Sequence, residues 1–448
     1  MRLVYFSNVW PNIQVSAACV RVLSLMRTSQ NFFQDSPLRI SFVSHAKLSQ
    51  HINWARALGS NINVQFDRIH CPLNEEHAFE SLVVDSIDSG DRERCIVIFD
   101  TFVCEEQYGW MVRKWIPNAL RIVDTQDLHL LRRARMKALS LSHAEHDEFG
   151  ICLDPDLRHP QVFEHVLREL TSLKRSDLVL AVSSFEIDLL INKFGFNPRK
   201  ILHAPFLFDF SQIPKMNVSF EKRKRFVSLG NWQHPANRDS VQFLKKVIWP
   251  RILKRIPNAE INVYGANPTK KDMQLDDSSN GFRLRGPYVG ESIQMLSQHK
   301  VLLSPLRFGA GIKGKIAESW VAGTPVVTTA IGSEGMRRND HFPGISASTV
   351  YSFVERACDL YSNKTEWNKY SLLGRESAEA MYDESSLGPK LWEDISMHLS
   401  QLRQNRATDW DQDILWQSRL RGTEWMSKYI QAKNLLAQRR DSVSCHES

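Results

Sequence analysis

The eight residues Phe308–Lys315 (FGAGIKGK) concentrate more potential chemistry than any other stretch of the chain. They hold glycines at 309, 311 and 314 in a G-x-G-x-x-G spacing, with Lys313 and Lys315 among them. The run VLLSP (301–305) before them reads as a buried strand closed by Pro305. A helix follows from about Ile312, with Ile316 and Trp320 on one apolar face, and stops at Gly323. Glycines where a strand turns into a helix let backbone N–H groups approach an anion closely. Lysines in the first helical turn oppose the helix dipole by on the order of 0.3–1 kcal/mol each. That placement makes sense with a phosphate between them; the ordinary alternative is a surface turn with solvated lysines. Glu318 comes three residues after Lys315, off the apolar face. It forms either an ion pair with Lys315, worth about 0.2–0.5 kcal/mol, or an acceptor for the 2′ and 3′ hydroxyls of a ribose. The second reading makes the ligand a nucleotide.

The same glycine spacing occurs in nicotinamide and flavin folds. There it follows the first strand of its unit, and an acid ends the next strand. Here the next strand ends VVTTAIG without an acid, Glu334 comes later, and lysines interrupt the glycines. A diphosphate cradle explains the loop better than an oxidoreductase fingerprint. A second constellation is VDTQDLHLLRR (123–133), where Asp124, Asp127 and His129 cluster at a strand's carboxyl end with Arg132 and Arg133 nearby. For Asp127 the ordinary alternative is a helix N-cap. SHAEHDE (142–148) has the residue types of a metal cluster without the spacing, so it reads as a solvated loop. DPD (154–156) reads as a turn and DQD (411–413) as a helix start.

These motifs need strand ends to present them. RLVYF (2–6), RISFVSH (39–45), INVQF (62–66), CIVIFD (95–100), LRIVDT (120–125), DLVLAVS (177–183) and ILHAPF (201–206) read as buried strands with helices between. Ser16 is a candidate N-cap for the first helix. Glu105 and Glu106 read as early dipole partners of another that ends at Pro117. Asn8, Pro11 and Asn12 join the first strand to the first helix and either shape an acceptor site or are plain turn residues. After a polar, proline-containing break with the basic run EKRKR, read as a solvated linker, a second series follows: RFVSLG (225–230), AEINVYG (259–265), FRLRG (282–286), VLLSP and PVVTT (325–329). From about 349 the chain is helical. Its stripe of Trp425, Met426, Tyr429 and Ile430 is expected to pack on the protein's own domains. The fold class is α/β, two doubly wound parallel-sheet domains facing a cleft, with a helical extension. The boundaries are 1–220, 221–390 and 391–448. Ligands in such sheets bind outside the carboxyl ends of the strands.

Composition agrees. The 448 residues are 42% hydrophobic, enough for two cores, and 12 Trp with 23 Phe exclude a disordered chain. Lys plus Arg at 57 against 50 acids leaves +7, a mild excess that suits anionic small molecules and does not point to nucleic acid. Seven scattered cysteines without C-x-x-C point to a reducing compartment. MRLVYF reads as a strand rather than a signal peptide, and no run approaches the ~18 apolar residues of a membrane span. A cytoplasmic protein is expected, with peripheral contact of the basic tail with a membrane left open.

SPLRFGAGIKGKIAESWVAGTPVVTTAIGSEGM (304–336) resembles the sugar-nucleotide loop of the GT-B glycosyltransferases, in particular the large retaining family 4 (glycosyl transferases group 1). The resemblance rests on Pro305, Leu306, Arg307, Gly309, Gly311, Lys315, Glu318, Gly323, Pro325, Val326, Val327, Gly332, Glu334 and Gly335. It extends upstream through Gly230, Pro235 and Asn237, covering 226–336 well and the N-terminal half loosely. It implies a UDP- or GDP-linked sugar as donor, with Lys315 and the amides near Gly311 and Ile312 facing the diphosphate. Glu318 then takes the ribose, Arg307 adds charge, and neither metal nor cofactor is required. It also implies that Asp127, then His129, contacts the donor sugar or an acceptor hydroxyl, the acceptor being a glycan, lipid, protein or small molecule. Many members carry a glutamate eight positions before Glu318; here that position is Ala310. The readings are therefore a retaining, metal-independent glycosyltransferase, a nucleotide-sugar epimerase, or a non-catalytic nucleotide-sugar-binding protein.

Overall fold

In the computed structural model every residue is described except 12–16, 36–37, 48–64, 143–148, 151, 215–218, 289–290 and 445–448. Among the described residues two all-parallel sheets form. The first contains β1 (Arg2–Phe6), β2 (Arg39–Ser44), β3 (Asp67–His70), β4 (Cys95–Asp100), β5 (Leu120–Asp124), β6 (Leu178–Ala181) and β7 (Ile201–His203), in the order β3-β2-β1-β4-β5-β6-β7. The second contains β8 (Lys224–Leu229), β9 (Ile261–Tyr264), β10 (Phe282–Gly286), β11 (His299–Ser304), β12 (Val326–Thr329) and β13 (Ile345–Ala347), in the order β10-β9-β8-β11-β12-β13.

The short apolar runs are strands because helices cover both faces of each sheet. Val4, Phe6, Val97, Phe99 and Val123 point into one core and Leu3, Tyr5, Ile96, Ile98 and Ile122 into the other, the two-residue alternation of a strand. Chain order reverses between β1 and β4 in the first sheet and between β8 and β11 in the second. These switch points open crevices at the carboxyl ends.

Several expectations change. Of the strand expected at 62–66, residues 62–64 lie outside the described residues, and the edge strand is Asp67–His70, largely exposed and polar. Its side chains are exposed on both faces, so burial demands no apolar run there, and polar, charged residues suit an unpaired edge. Glu105 and Glu106 do not serve a helix start, because that helix begins at Thr101. Glu105 is buried in an ion pair with Arg175 and accepts Ser172 Oγ at 2.7 Å, while Glu106 pairs with Arg168. The EKRKR run is not simply a solvated linker. Arg223 is buried, stacks 5.0 Å from the Trp367 ring and donates to the Ala322 carbonyl at 2.8 Å.

The helix Glu384–Ser400 returns to the first domain and packs on the helix Ala17–Phe32, where Arg27 pairs with Glu384 and Trp392 Nε1 donates to Thr28 Oγ1 at 2.9 Å. The last helix, Trp410–Ser444, lies on the helices Thr101–Trp115 and Pro160–Arg175. Among its described side chains the buried ones are Gln412, Trp416 and Ser427, at helical spacing. The expected stripe is therefore turned the other way: Trp425, Met426 and Tyr429 are exposed. Among the described residues no helix is long and apolar enough to cross a membrane, and Cys71, Cys95, Cys104, Cys152 and Cys358 are buried free thiols.

Trp416 fixes this last helix. Its ring is ringed by Arg113, Arg121 and Arg175 at 5.0, 5.1 and 5.3 Å, and its Nε1 donates to the Arg175 carbonyl at 3.0 Å. Trp416→Ala is expected to destabilise the protein by about 3–5 kcal/mol. Differential scanning calorimetry should show a lowered melting temperature, with the tail cut early by trypsin. An unchanged melting temperature would refute the anchor.

Candidate active site

The carboxyl ends of the two sheets face each other across a cleft of about 400 Å³. The first domain contributes Ala18, Asp100, Thr101, Gln126, Asp127, His129 and Arg132; the second contributes Asn231, His234, Asn237, Gly309, Ile312, Lys313, Lys315 and Glu318. A larger cavity of about 690 Å³ lies at the opposite, amino ends of β5 to β7, beneath the tail helices. Its Lys200–Asp409 and Arg406–Asp177 pairs, at 2.6 and 2.7 Å, neutralise one another. The cleft is the candidate site.

In the second domain the helix begins at Gly314, two residues later than the periodicity indicated, with Lys313 in the N-cap position. Gly311, at φ +64°, takes the left-handed conformation that glycine tolerates and delays helix entry. Lys315 Nζ donates to Asn237 Oδ1 at 2.7 Å, and Lys313 Nζ folds back onto the carbonyls of Gly311 and Ala310 at 2.5 and 3.3 Å. Burial first, and the neighbouring Lys313 second, push Lys315 down to about 7. Burial raises Glu318 to about 7, against the opposing pull of Ser292 and Lys315.

Two expected diphosphate ligands sit elsewhere. The Gly311 amide turns from the cleft and donates to Glu186 Oε1 of the first domain at 2.8 Å. Arg307 does not line the cleft: its Nε and Nη2 both bond Asp239, and its guanidinium stacks 4.6 Å from the Phe243 ring. Its charge is matched within its own domain. Neither position was legible, because both depend on partners far away in sequence.

In the first domain β5 ends in a tight turn with Gln126 at φ +57°. The Gln126 amide reaches Asp100 Oδ1 at 3.2 Å and Asp124 Oδ2 at 3.3 Å. Asp127 is not an N-cap. The first amides of the helix His129–Leu141 go instead to Glu169, and that of Leu128 goes to Glu186. Asp127 is free to face the cleft, with Arg132 Nε at 2.7 Å and His129 Nε2 at 3.4 Å. Burial alone would raise its carboxyl, but Arg132 and His129 outweigh it and hold it below the ordinary range. Burial pushes His129 down to about 4, so its imidazole is neutral.

Sequence reasoning passed over Asp100, Thr101 and His234. Asp100 was within reach, since CIVIFD puts an acid at a strand's carboxyl end. It accepts Ser7 Oγ at 2.5 Å, and burial pushes it up to about 6. Among the described residues of the loop after β1, Asn8 and Pro11 do not line the cleft; Asn12 and Ser16 lie outside the described residues, as do 143–148.

The domains touch at the glycine loop. Arg135 donates to the Gly309 carbonyl at 2.9 Å and grips Glu334 with two bonds of 2.6 and 2.7 Å. Ala310 packs into the first domain's core.

Residues 223–363 match the family model of the glycosyl transferases group 1. This segment is a group 1 glycosyltransferase domain. The whole chain has the GT-B fold. It is similar to HepE from Anabaena in complex with UDP and glucose at 11% identity and TM-score 0.63, over 89% of this chain and 100% of that one. A TarM from S. aureus, in complex with Fondaparinux, alpha-GlcNAc-glycerol and UDP, aligns at 10% identity and TM-score 0.61, over 88% of this chain and 99% of that one. Sucrose-phosphate synthase from Thermosynechococcus elongatus aligns at 12% identity and TM-score 0.61, over 89% and 99%. At these identities the likeness is one of fold. No curated protein sequence matches the chain.

In the group 1 domain, Gly311 shows how closely the halves of the site approach. A Cβ added there would lie 2.9 Å from Asp127 Cβ, whereas one at Gly195, also at φ +64°, would meet nothing. Both Gly→Ala changes incur the left-handed backbone cost of roughly 1–2 kcal/mol. Only Gly311→Ala also forces the domains apart. Thermal denaturation should show the larger loss at Gly311; equal losses would mean that the domain contact carries no energy.

Proposed function

We propose that the protein is a glycosyltransferase moving a sugar from a UDP- or GDP-linked donor to an acceptor hydroxyl, with retention and without a metal. The observation that carries this is the pairing of Lys315 and Glu318, in the group 1 domain, with Asp127, His129 and Asp100 across one cleft. In this reading residues 221–390 hold the donor and residues 1–220 the acceptor. Glu318 accepts the ribose hydroxyls. Lys315, Lys313 and the amino end of the helix Gly314–Val321 meet the charge that builds on the departing diphosphate. That is the work a metal would otherwise do, which supports metal independence. Gly309 and Ile312 line the donor path. Neutral His129 and ionised Asp127 hold sugar hydroxyls by hydrogen bonds. Ala310 favours a second reading, a nucleotide-sugar-binding protein without turnover.

UDP- or GDP-sugars are expected to raise the melting temperature and NAD to leave it unchanged. Ligand at 100 times its Kd stabilises by about 2.7 kcal/mol, a shift of several degrees. Lys315→Ala and Glu318→Ala should each abolish it. Stabilisation by NAD and not by sugar nucleotides would overturn the proposal; binding without turnover across an acceptor screen would select the second reading.

Protonation gives an independent check. With Lys315 lowered to about 7, it is mostly neutral in the empty site at pH 8, and a diphosphate beside it restores the cation. Glu318, at about 7, is by then largely ionised and contributes little. Calorimetry in buffers of different ionisation heat should therefore show proton uptake on UDP or GDP binding at pH 8, with affinity falling as pH rises through 7. Lys313, which burial lowers to about 8, takes up part of a proton as well, so Lys315→Met should lose most but not all of the uptake; uptake undiminished in this variant would exclude Lys315 as its source.

A further inference from the structure

We propose that Glu186 is a positioning residue that binds the two halves of the active site to each other. The inference rests on the donor-binding reading above.

Glu186 stands in the first turn of the helix Ser184–Asn192 that follows β6, and is 1% exposed. Its Oε1 accepts the Leu128 amide at 2.9 Å and the Gly311 amide at 2.8 Å. Leu128 adjoins Asp127 and His129; Gly311 precedes Lys313 and Lys315 by two and four residues. A single oxygen therefore fixes the spacing between the turn that carries the first domain's polar groups and the loop that carries the second domain's lysines.

Glu169 provides a contrast. It also accepts two amides, His129 and Leu130, but both belong to one helix of its own domain. Glu186 spends one bond in each domain. The loop is also held at its neighbours, by Arg135 at Gly309 and by the core packing of Ala310, and it offers no carboxylate of its own at position 310. Glu186 Oε2 is buried with no hydrogen-bond partner among the described residues. A buried carboxylate with one unmet oxygen carries a desolvation cost, which the amides of Leu128 and Gly311 offset only in part. Its presence makes sense as a device for holding two backbones in register.

The test compares wild type with Glu186→Gln, Glu186→Asp and Glu186→Leu in the full chain. The glutamine carbonyl can accept both amides; aspartate is one methylene too short to reach both; leucine accepts neither. Hydrogen exchange read over 126–130 and 309–313 should be faster together in Leu and Asp, near wild type in Gln, with the rest of the chain unchanged. Binding of UDP or GDP, whichever stabilises wild type, should weaken about ten-fold or more in Leu, less in Asp, and within about three-fold of wild type in Gln. For donor hydrolysis, kcat should fall along with the rise in KM. If Leu fails to fold, Asp and Gln carry the comparison. Wild-type affinity in the Leu or Asp variant overturns the inference, as does faster exchange in only one segment or across the whole chain. If wild type binds neither UDP nor GDP, the functional proposal fails separately. The paired exchange response then decides whether Glu186 couples the two loops.

Discussion

Everything in the site depends on the close approach of two backbones, the turn at Gln126–Asp127 and the loop at Gly311. The gap admits no side chain: a Cβ on Gly311 would also stand 3.2 Å from the Gln126 carbonyl. Parallel sheets present their loops at their carboxyl ends, so two such sheets can build a shared site only by facing these ends to each other. The glycine removes the steric barrier, and Glu186, Arg135 and the packing of Ala310 supply the attraction.

The distribution of charge follows from that geometry. The second domain turns Lys313, Lys315, Glu318, His234 and a helix start toward the cleft, and the first turns Asp100, Asp127, His129 and Arg132 toward it. Burial works against every one of these charges, which is why Lys315, Glu318 and Asp100 all move toward neutrality. Asp127 is the exception, because Arg132 bonds it directly. An anionic ligand entering such a cleft supplies the countercharge that Lys315 lacks and holds Glu318 and Asp100 nearer neutrality.

Much of this was legible in the chain. Buried parallel strands are nearly continuous apolar runs, so β1, β4, β5, β8, β11 and β12 could be read off within a residue or two. Of the edge strands, β7 and β10 were also legible, but β3 and β13 were not: β3 is polar and exposed, and β13 has three residues. The lysines, Glu318, Asp127 and His129 announced themselves because their types sit at strand ends, where sheets of this kind bind ligands. Helix-end roles misled, since a carboxylate near a helix start looks alike whether it caps, pairs or points at a ligand. For Asp127 a cap was only the alternative reading, and Glu169 and Glu186 take those amides. Glu105 resembled a dipole partner, yet Arg175 claims it in the core.

By itself the sequence determined the α/β class, the glycine–lysine loop and the identity of most cleft-lining groups, because these follow from local periodicity and from residue types at strand ends. Only the tertiary structure decided how those groups are engaged: Gly311's amide on Glu186 rather than in the cleft, Arg307 on Asp239, Trp416 rather than Trp425 as the anchor of the tail. Each of these partnerships joins residues tens to hundreds of positions apart or selects one face of a helix. Such choices are set by which surfaces meet when the domains pack, and no local pattern encodes them.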